Sequence, residues 1–186
     1  LKIYGYSKNK GLGYALNFGL DKSSNEIIFR MDSDDIAHPS RFEKQLKAFN
    51  NKDNVVIIGS NIEEFNIEPY DLNRIRVVPY SSLAINKMKR YRNPFNHMTV
   101  AFKKSSILEC GGYKPMPGYE DYYLWMRVLK KYNGFNLSDN LVYARVGNGM
   151  ITRRRGFDFF LNEFKFQKTL LSENLITYLD FIKNIF

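Results

Sequence analysis

The sequence predicts an α/β fold in which helices flank a mostly parallel sheet. Short apolar runs suited to buried strands alternate along the chain with segments of helical periodicity. The hydrophobic fraction of 44% and the aromatic fraction of 16% exclude a disordered or low-complexity protein. A length of 186 residues is enough for one domain with a proper core.

The first third of the chain starts this alternation. We predict strands at residues 1–4, 27–31 and 55–59, a second strand continuing at 61–65, and helices at 11–20 and 39–49. Pro39 marks the start of the second helix because proline is favoured in a first helical turn. The apolar face of that helix is predicted to carry Phe42, Leu46 and Phe49.

The remainder continues in the same way. Strands are predicted at residues 74–79, 97–102, 135–137 and 141–146, and helices at 81–90, 105–110 and 119–132. From Phe157 onward the pattern is that of two amphipathic helices interrupted near Ser172. We therefore divide the chain into a main domain, residues 1–150, and a basic loop with a helical extension, residues 151–186.

Charge and composition narrow the classes of function. The net charge is +9, and residues 72–108 contain eight Lys or Arg and no Asp or Glu. Such a surface attracts nucleotide phosphates, anionic lipid or nucleic acid, or is simply solvated. A single cysteine allows no internal disulfide, and no apolar run is long enough to cross a bilayer. With no signal peptide in view, we expect a cytoplasmic location.

The acidic run at residues 32–35 follows directly from a predicted buried strand. Asp32, Asp34 and Asp35 repel one another, so a folded protein keeps them together when a cation neutralises them. The carboxyl end of a strand is where open α/β sheets bind ligands, and carboxylate oxygens suit Mg²⁺ or Mn²⁺. We predict a metal site here. An acidic turn before a helix is the alternative.

A second acidic pair opens the strongest predicted helix. Asp121 lies at the helix N-terminus, where the helix dipole favours the ionised carboxylate that a general base needs. Trp125 and Val128 lie on the same stripe and would anchor the helix in the core. An acidic residue in a first helical turn also has a purely structural explanation.

Two further positions are candidates for ligand contacts. His97 lies among basic and aromatic residues, where it could touch diphosphate or metal, orient an acceptor, or act as a structural hydrogen-bond donor. The run that contains Arg154 follows a glycine-rich loop and could grip phosphate oxygens or remain solvated.

Several motifs occur together in a characteristic order. They are the segments 9–19, 30–35, 92–102, 111–113 and 120–125. Their order and spacing resemble those of the family 2 nucleotide-diphospho-sugar glycosyltransferases from Ile3 to about Arg155. Each motif alone is weak, whereas the ordered set is specific.

The resemblance implies a GT-A type fold and transfer of a sugar, usually with inversion, from a nucleotide-diphosphate donor. It implies that Asp34, together with Asp32, binds Mn²⁺ or Mg²⁺ in a DXD-type motif and that Asp121 is the general base. Asp35 is expected to serve at the helix start. Substrate contacts are assigned to these residues: Asn9, Gly13, Arg30, Asp32, His97, Glu120, Trp125 and Arg154.

The implied partners are a sugar nucleotide, with a UDP-sugar favoured, and a glycan or lipid-linked acceptor. Peripheral contact with the inner face of the membrane is expected and nucleic acid is not. The implied role is synthesis of a bacterial surface polysaccharide or glycan.

One departure from the family concerns the start of the sequence. Members normally begin with a strand and loop that hold the nucleotide base, and this sequence starts after that segment, so we expect a fold that is incomplete at its N-terminus.

Two alternatives stay open at this point. The chain could be a non-catalytic basic module that binds nucleic acid or anionic membrane, or a metal-dependent nucleotidyltransferase.

Overall fold

The computed structural model describes residues 2–52, 54–147 and 157–186. In chain order the elements are α1 (Leu12–Lys22), β1 (Ile27–Phe29), β2 (Ile36–Ala37), α2 (Arg41–Asn50), β3 (Val55–Phe65), β4 (Arg74–Arg76), α3 (Ser82–Met88), a 3-10 turn (His97–Thr99), β5 (Ala101–Lys103), α4 (Lys104–Glu109), α5 (Glu120–Lys131), β6 (Asn133–Arg145), α6 (Phe157–Ser172) and α7 (Tyr178–Ile185). The alternation of helices and strands confirms the predicted α/β class.

The sheet is built around the long strand β3. Its strand order is β1-β5-β3-β6-β2. Strand β4 lies off this path and pairs with residues 62–64 of β3, whereas β5 pairs with residues 57–58. The pairing of β3 with β6 is parallel, and every other pairing in the described residues is antiparallel. The prediction of a mostly parallel sheet is therefore wrong in this part of the chain.

The reason lies in what an apolar run can encode. A strand that is covered on both faces is apolar whichever way its neighbours run, so the run of buried residues in β3 carries no information on direction. β5 passes between β1 and β3 and is antiparallel to both.

Several element boundaries differ from the predicted ones. β6 is one strand where two were predicted, and residues 97–99 form a 3-10 turn where a strand was predicted. Residues 2–11 have no regular secondary structure, in contrast to the strand predicted at 1–4. The predicted domain boundary near residue 150 falls outside the described residues.

Helix α2 is turned relative to the prediction: Phe49 packs against the core as predicted, whereas the other two residues of the predicted apolar face do not. It begins at Arg41, two residues after Pro39. Its buried residues are Arg41, Gln45 and Ala48, while Phe42 and Leu46 are exposed. The polar side chains face inward because they bind main-chain oxygens: Gln45 Nε2 donates to Ile58 O at 2.7 Å and to Thr99 O at 2.8 Å. Strand β3 and the 3-10 turn are thereby tied to one helix.

The main hydrophobic core lies between the sheet and helices α1, α3, α4 and α5. Its fully buried members include Ile57, Val100, Ile107, Leu124 and Trp125. A second cluster joins α5 to α6 and α7 through Tyr122, Met126, Phe166, Leu170 and Ile176. The predicted break between the last two helices near Ser172 is confirmed. Among the described helices, none has the length and apolar character needed to span a membrane.

Candidate active site

The acidic loop begins where β1 ends. Arg30 Nη1 donates to Asp32 Oδ2 at 2.8 Å, and Nη2 donates to Oδ1, so the guanidinium holds both oxygens of one carboxylate. Asp32 remains partly accessible, with 39% of its side chain exposed. A bidentate arginine keeps this carboxylate in a defined orientation at the sheet edge.

The two following aspartates differ in burial. Asp34 is exposed, and its carboxylate makes no hydrogen bond or ion pair with the described residues. Asp35 Oδ1 accepts the Arg145 N–H at 2.9 Å, while its buried Oδ2 has no partner in the described part of the chain. Burial, reinforced by the carboxylates of Asp32 and Asp34, raises the pKa of Asp35 to about 6 against the opposing effect of the Arg145 N–H.

Two buried or half-buried arginines support the loop. Arg41 is fully buried; its Nη2 donates to Arg30 O at 2.7 Å and its Nε to Gln45 Oε1 at 3.1 Å. Arg145 Nε donates to Asp34 O at 3.3 Å and its Nη1 to Asn66 O at 2.7 Å. Burial and the nearby Arg30 lower the pKa of Arg41 to about 10, against the effect of Asp35. Arginine side chains therefore hold both the main chain of the loop and the Asp32 carboxylate.

The loop fits a shared metal ion better than a site made by protein alone. No group of three Asp, Glu, His or Cys side chains within the described ranges could hold a metal ion. Mg²⁺ is commonly bound through one or two carboxylates together with substrate phosphates. The unpartnered carboxylate of Asp34 and the accessible one of Asp32 suit that arrangement.

The second acidic site lies at the start of α5. Asp121 is the second residue of the helix, and its Oδ2 accepts Asn93 Nδ2 at 2.7 Å. His97 Nδ1 lies 4.0 Å from the same oxygen. Asp121 keeps 20% of its side chain exposed, so solvent and ligands can reach it. Neutral groups hold this carboxylate.

His97 is held in its neutral form. Burial, with a contribution from Arg30, lowers its pKa to about 4, against the opposing effects of Asp121 and Asp32. Its Nε2 lies 3.1 Å from the Tyr113 hydroxyl, and burial raises the pKa of that hydroxyl well above its usual range. We infer that Tyr113 donates to Nε2, which places the imidazole proton on Nδ1, facing Asp121.

Tyr113 is positioned by helix α1. Asn17 Nδ2 donates to Tyr113 O at 2.7 Å, and Asn17 Oδ1 accepts from Tyr113 N at 2.9 Å. Gly112 has φ +59, and a Cβ on it would come within 2.7 Å of Asn17 Oδ1. A Cβ on Gly13 would lie 3.6 Å from Glu120 Cγ and 3.7 Å from Tyr113 Cβ. The N-terminus of α1 thus packs directly beside the second acidic site.

The two acidic sites are close enough to interact. The pKa of His97 responds to the charges of Arg30 and Asp32 in the acidic loop and to that of Asp121 in α5. Of the residues predicted for the site, the structure therefore brings Arg30, Asp32, His97 and Asp121 into one electrostatic cluster.

Other predicted site residues lie differently. Trp125 is fully buried, with its ring centroid 6.0 Å from that of His97, so it packs against His97 from the core. A direct substrate contact by Trp125 is at odds with this burial, which follows from its place on the inner stripe of α5. Asn9 is exposed, and its Oδ1 accepts the Gly11 N–H at 2.8 Å. Arg154 lies outside the described residues.

The residues that hold the two acidic sites in place were not predicted from the sequence. Asn93 and Tyr113 belong to motifs that were recognised, and the amide of Asn93 in the same motif as His97 was the available signal. Arg41 and Arg145 gave no signal, because their importance depends on main-chain oxygens contributed by other elements.

Comparisons with known proteins show the family to which the chain belongs. The family described as Glycosyl transferase family 2 matches residues 2–112. An uncharacterized glycosyltransferase of Haemophilus influenzae is 48% identical over 158 residues, covering 84% of this chain and 58% of the relative. The chain belongs to glycosyl transferase family 2, as its motifs predict.

Two relatives with more specific names are also similar. The UDP-Gal:alpha-D-GlcNAc-diphosphoundecaprenol beta-1,3-galactosyltransferase of Escherichia coli is 41% identical over 186 residues, which is 100% of this chain and 67% of the relative. The amylovoran biosynthesis glycosyltransferase AmsE of Erwinia amylovora is 36% identical over 173 residues, 92% of this chain and 64% of the relative. The chain thus spans 58% to 67% of the length of these three relatives.

Solved structures confirm the GT-A likeness of the fold. S. aureus TarS in complex with UDP-GlcNAc superposes with a TM-score of 0.60 at 18% identity, over 87% of this chain and 47% of that one. Mannosyltransferase PcManGT from Pyrobaculum calidifontis, in complex with GDP-Man and Mn²⁺, gives 0.55 at 18% identity, over 88% and 42%.

Proposed function

We propose that the protein transfers a sugar from a UDP-sugar to a hydroxyl of a glycan or lipid-linked acceptor, with inversion, during synthesis of a bacterial surface polysaccharide. The observation that carries the proposal is the pairing of an arginine-held acidic loop with Asp121, a carboxylate held by neutral groups, in one cluster. The names of the relatives support the substrate classes.

The chemistry of the acceptor side follows from Asp121. Its Oδ2 is bonded by Asn93, so Oδ1 is available to take the proton of the acceptor hydroxyl. The acceptor oxygen then forms a bond to the anomeric carbon while the bond from that carbon to the diphosphate oxygen breaks. Attack opposite the leaving group inverts the anomeric centre. His97, with its Nδ1–H towards Asp121, orients the carboxylate during this step.

The donor side would bind the diphosphate and a divalent ion, Mn²⁺ or Mg²⁺. Asp34 and Asp32 would hold the ion, and a bound ion would offset the negative charge that develops on the leaving nucleoside diphosphate. Arg30 orients Asp32, while Arg145 and Arg41 support the main chain of the loop. Asn9, Gly13 and Glu120 are proposed to line the substrate site beside them, and Arg154 to contact donor phosphate.

We further propose that transfer takes place in the cytoplasm at the inner face of the membrane, where a lipid-linked acceptor would be anchored. The exposed apolar residues of the C-terminal helices favour this location.

The test uses the full-length protein, UDP-sugars and a diphospholipid acceptor, with Mn²⁺ or with a chelator. We expect transfer to require metal, to fall about a hundredfold or more in Asp34→Asn, and to yield a β-linkage from an α-linked donor. Asp139→Asn is the matched control, because Asp139 is a surface residue paired with Lys44. Chelator-resistant transfer that Asp34→Asn leaves unchanged would refute the metal assignment.

A further inference from the structure

The last two helices present several large apolar side chains to solvent. We define the α6–α7 face as Phe160 and Phe164 of α6 with Tyr178, Leu179 and Phe186, which belong to or directly follow α7. Tyr178 and Leu179 are 65% and 69% exposed, and Phe160 and Phe164 are 47% and 40% exposed. The Phe160 and Phe164 ring centroids are 6.4 Å apart, and Phe164 lies 5.9 Å from the half-buried Phe181, which joins the two helices.

The exposed side is set by a well-built inner side. Helix α7 starts with a capping box between Thr177 and Asp180. Asn184 Nδ2 donates to Gln167 Oε1 at 2.9 Å and to Arg90 O at 2.8 Å. Because these contacts determine the rotation of α7, Tyr178 and Leu179 must point outward.

Charge is sorted between the two sides of the same helices. Three acidic side chains of this region turn inward: Glu163 accepts the Tyr119 hydroxyl, Glu173 accepts the Tyr123 hydroxyl, and Asp180 accepts Arg90 Nη2 at 2.8 Å. The lysines of these helices are exposed: Lys165, Lys168 and Lys183. Exposed lysines and exposed apolar residues therefore lie on the same two helices.

The face belongs to the structural unit that carries the proposed base. Tyr119, the N-cap of α5, stacks on Phe166 of α6 with ring centroids 4.5 Å apart and planes at 12°. Arg90, which is paired with Asp180 of α7, lies three residues before Asn93, the hydrogen-bond partner of Asp121. Whatever binds the face is therefore held beside the acceptor side of the site.

We propose that the α6–α7 face docks on the surface of an anionic lipid bilayer. Exposed aromatic and aliphatic side chains together with exposed lysines are typical of helices that lie in the membrane interface. The inward acids and outward lysines complement anionic headgroups. The inference deepens the proposed function, because a lipid-linked acceptor is presented at such a surface, and it assigns the part of the chain that meets the lipid.

The binding test is sedimentation of the full-length protein with vesicles. We expect binding to phosphatidylcholine vesicles that contain phosphatidylglycerol, weaker binding to phosphatidylcholine alone, and loss of binding at high salt. The double variant Tyr178→Glu, Leu179→Glu is expected to bind at least about tenfold more weakly. The matched control is Ile67→Glu, Val77→Glu, since these apolar residues are 78% and 71% exposed on other elements. Thermal unfolding verifies that both double variants are folded.

Activity assays separate this proposal from the proposed function. The face variant should lose transfer to an acceptor embedded in vesicles and keep transfer to a short, water-soluble acceptor analogue. Vesicle binding without any sugar transfer would refute the proposed function alone. Transfer without vesicle binding, or equal loss of binding in the control variant, would overturn the membrane assignment. So would a dimer that the face variant dissociates, because the face would then bind a second copy of the chain.

Discussion

The acidic loop and the start of α5 present two carboxylate sites that are stabilised in opposite ways. In the loop, Arg30 grips Asp32, and Arg41 and Arg145 bind the main chain around it. At α5, Asp121 is bonded by the amide of Asn93 and faced by a neutral His97.

The difference teaches how one cluster can hold two carboxylates with different tasks. Cationic partners favour the ionised form and help a site to receive further charge, as a metal and diphosphate would bring. Neutral partners orient a carboxylate without supplying the positive charge that would weaken it as a base. The pKa of His97 responds to charges from both sites, and the imidazole itself stays neutral.

The largest expected effect comes from removing the carboxylate of the neutral site. Asp121→Asn keeps the shape of the side chain but cannot take a proton, so kcat should fall about 10²- to 10⁴-fold. Steady-state kinetics with a soluble acceptor measure this, with circular dichroism to verify the fold. If kcat fell by less than about tenfold, and Glu120→Gln lost more, the base would be Glu120 and the comparison would fail.

A smaller effect, on stability, is expected from the cationic site. Arg41→Met removes a fully buried guanidinium that binds Arg30 O and Gln45 Oε1, and should lower the free energy of unfolding by about 3 kcal/mol. Urea unfolding measures the change. The control is Arg74→Met, whose partly exposed pair with Glu64 should contribute less than about 1 kcal/mol. Equal effects in both variants would show that the loop does not depend on its buried cation.

The neutrality of His97 predicts a pH dependence of stability. Its pKa is lowered from 6.5 to about 4 in the fold, so the unfolded chain binds the proton more strongly between these values. Stability should be unaffected by this group above pH 6.5 and fall by about 2 kcal/mol on going down to about pH 4.5. His97→Gln should lack that contribution. Urea unfolding over this pH range measures the difference in the free energy of unfolding between wild type and variant. A pH-independent difference would contradict a neutral His97.

The smallest expected effect sharpens the role of the amide. Asn93→Ala removes one hydrogen bond to Asp121 and should reduce kcat about tenfold, with little change in the donor KM. Asn86→Ala, on the neighbouring helix α3, is the matched control. A loss confined to KM would mean that Asn93 binds substrate and does not orient the base.

Much of the fold could be predicted because its elements are marked locally. The apolar runs of β1 and β3 and the periodicity of α5 and α6 predicted these elements close to where they lie. Strand direction and the inward face of α2 could not be predicted in this way. The inward face of α2 depends on Gln45 meeting main-chain oxygens that come from residues 13 and 54 positions away.

The candidate site shows the same division. Asp32, Asp34 and Asp121 stood out because clustered acids next to a strand end or a helix start are conspicuous. Two of their partners did not, since Asn93 lies 28 residues from Asp121 and Arg145, which donates to Asp34 O, lies 111 residues from it. The helical stripe predicted Trp125 in the core, which its burial confirms, whereas its motif assigned it to the substrate, which its burial contradicts.

That support has a practical consequence. Trp125 is the single tryptophan of this chain, and it lies directly beneath His97. The indole is shielded from water, so its emission in this segment should be blue-shifted and sensitive to movements of the imidazole. The chain therefore carries an intrinsic fluorescent probe at the candidate active site, and donor or acceptor titrations can be followed without attaching a label.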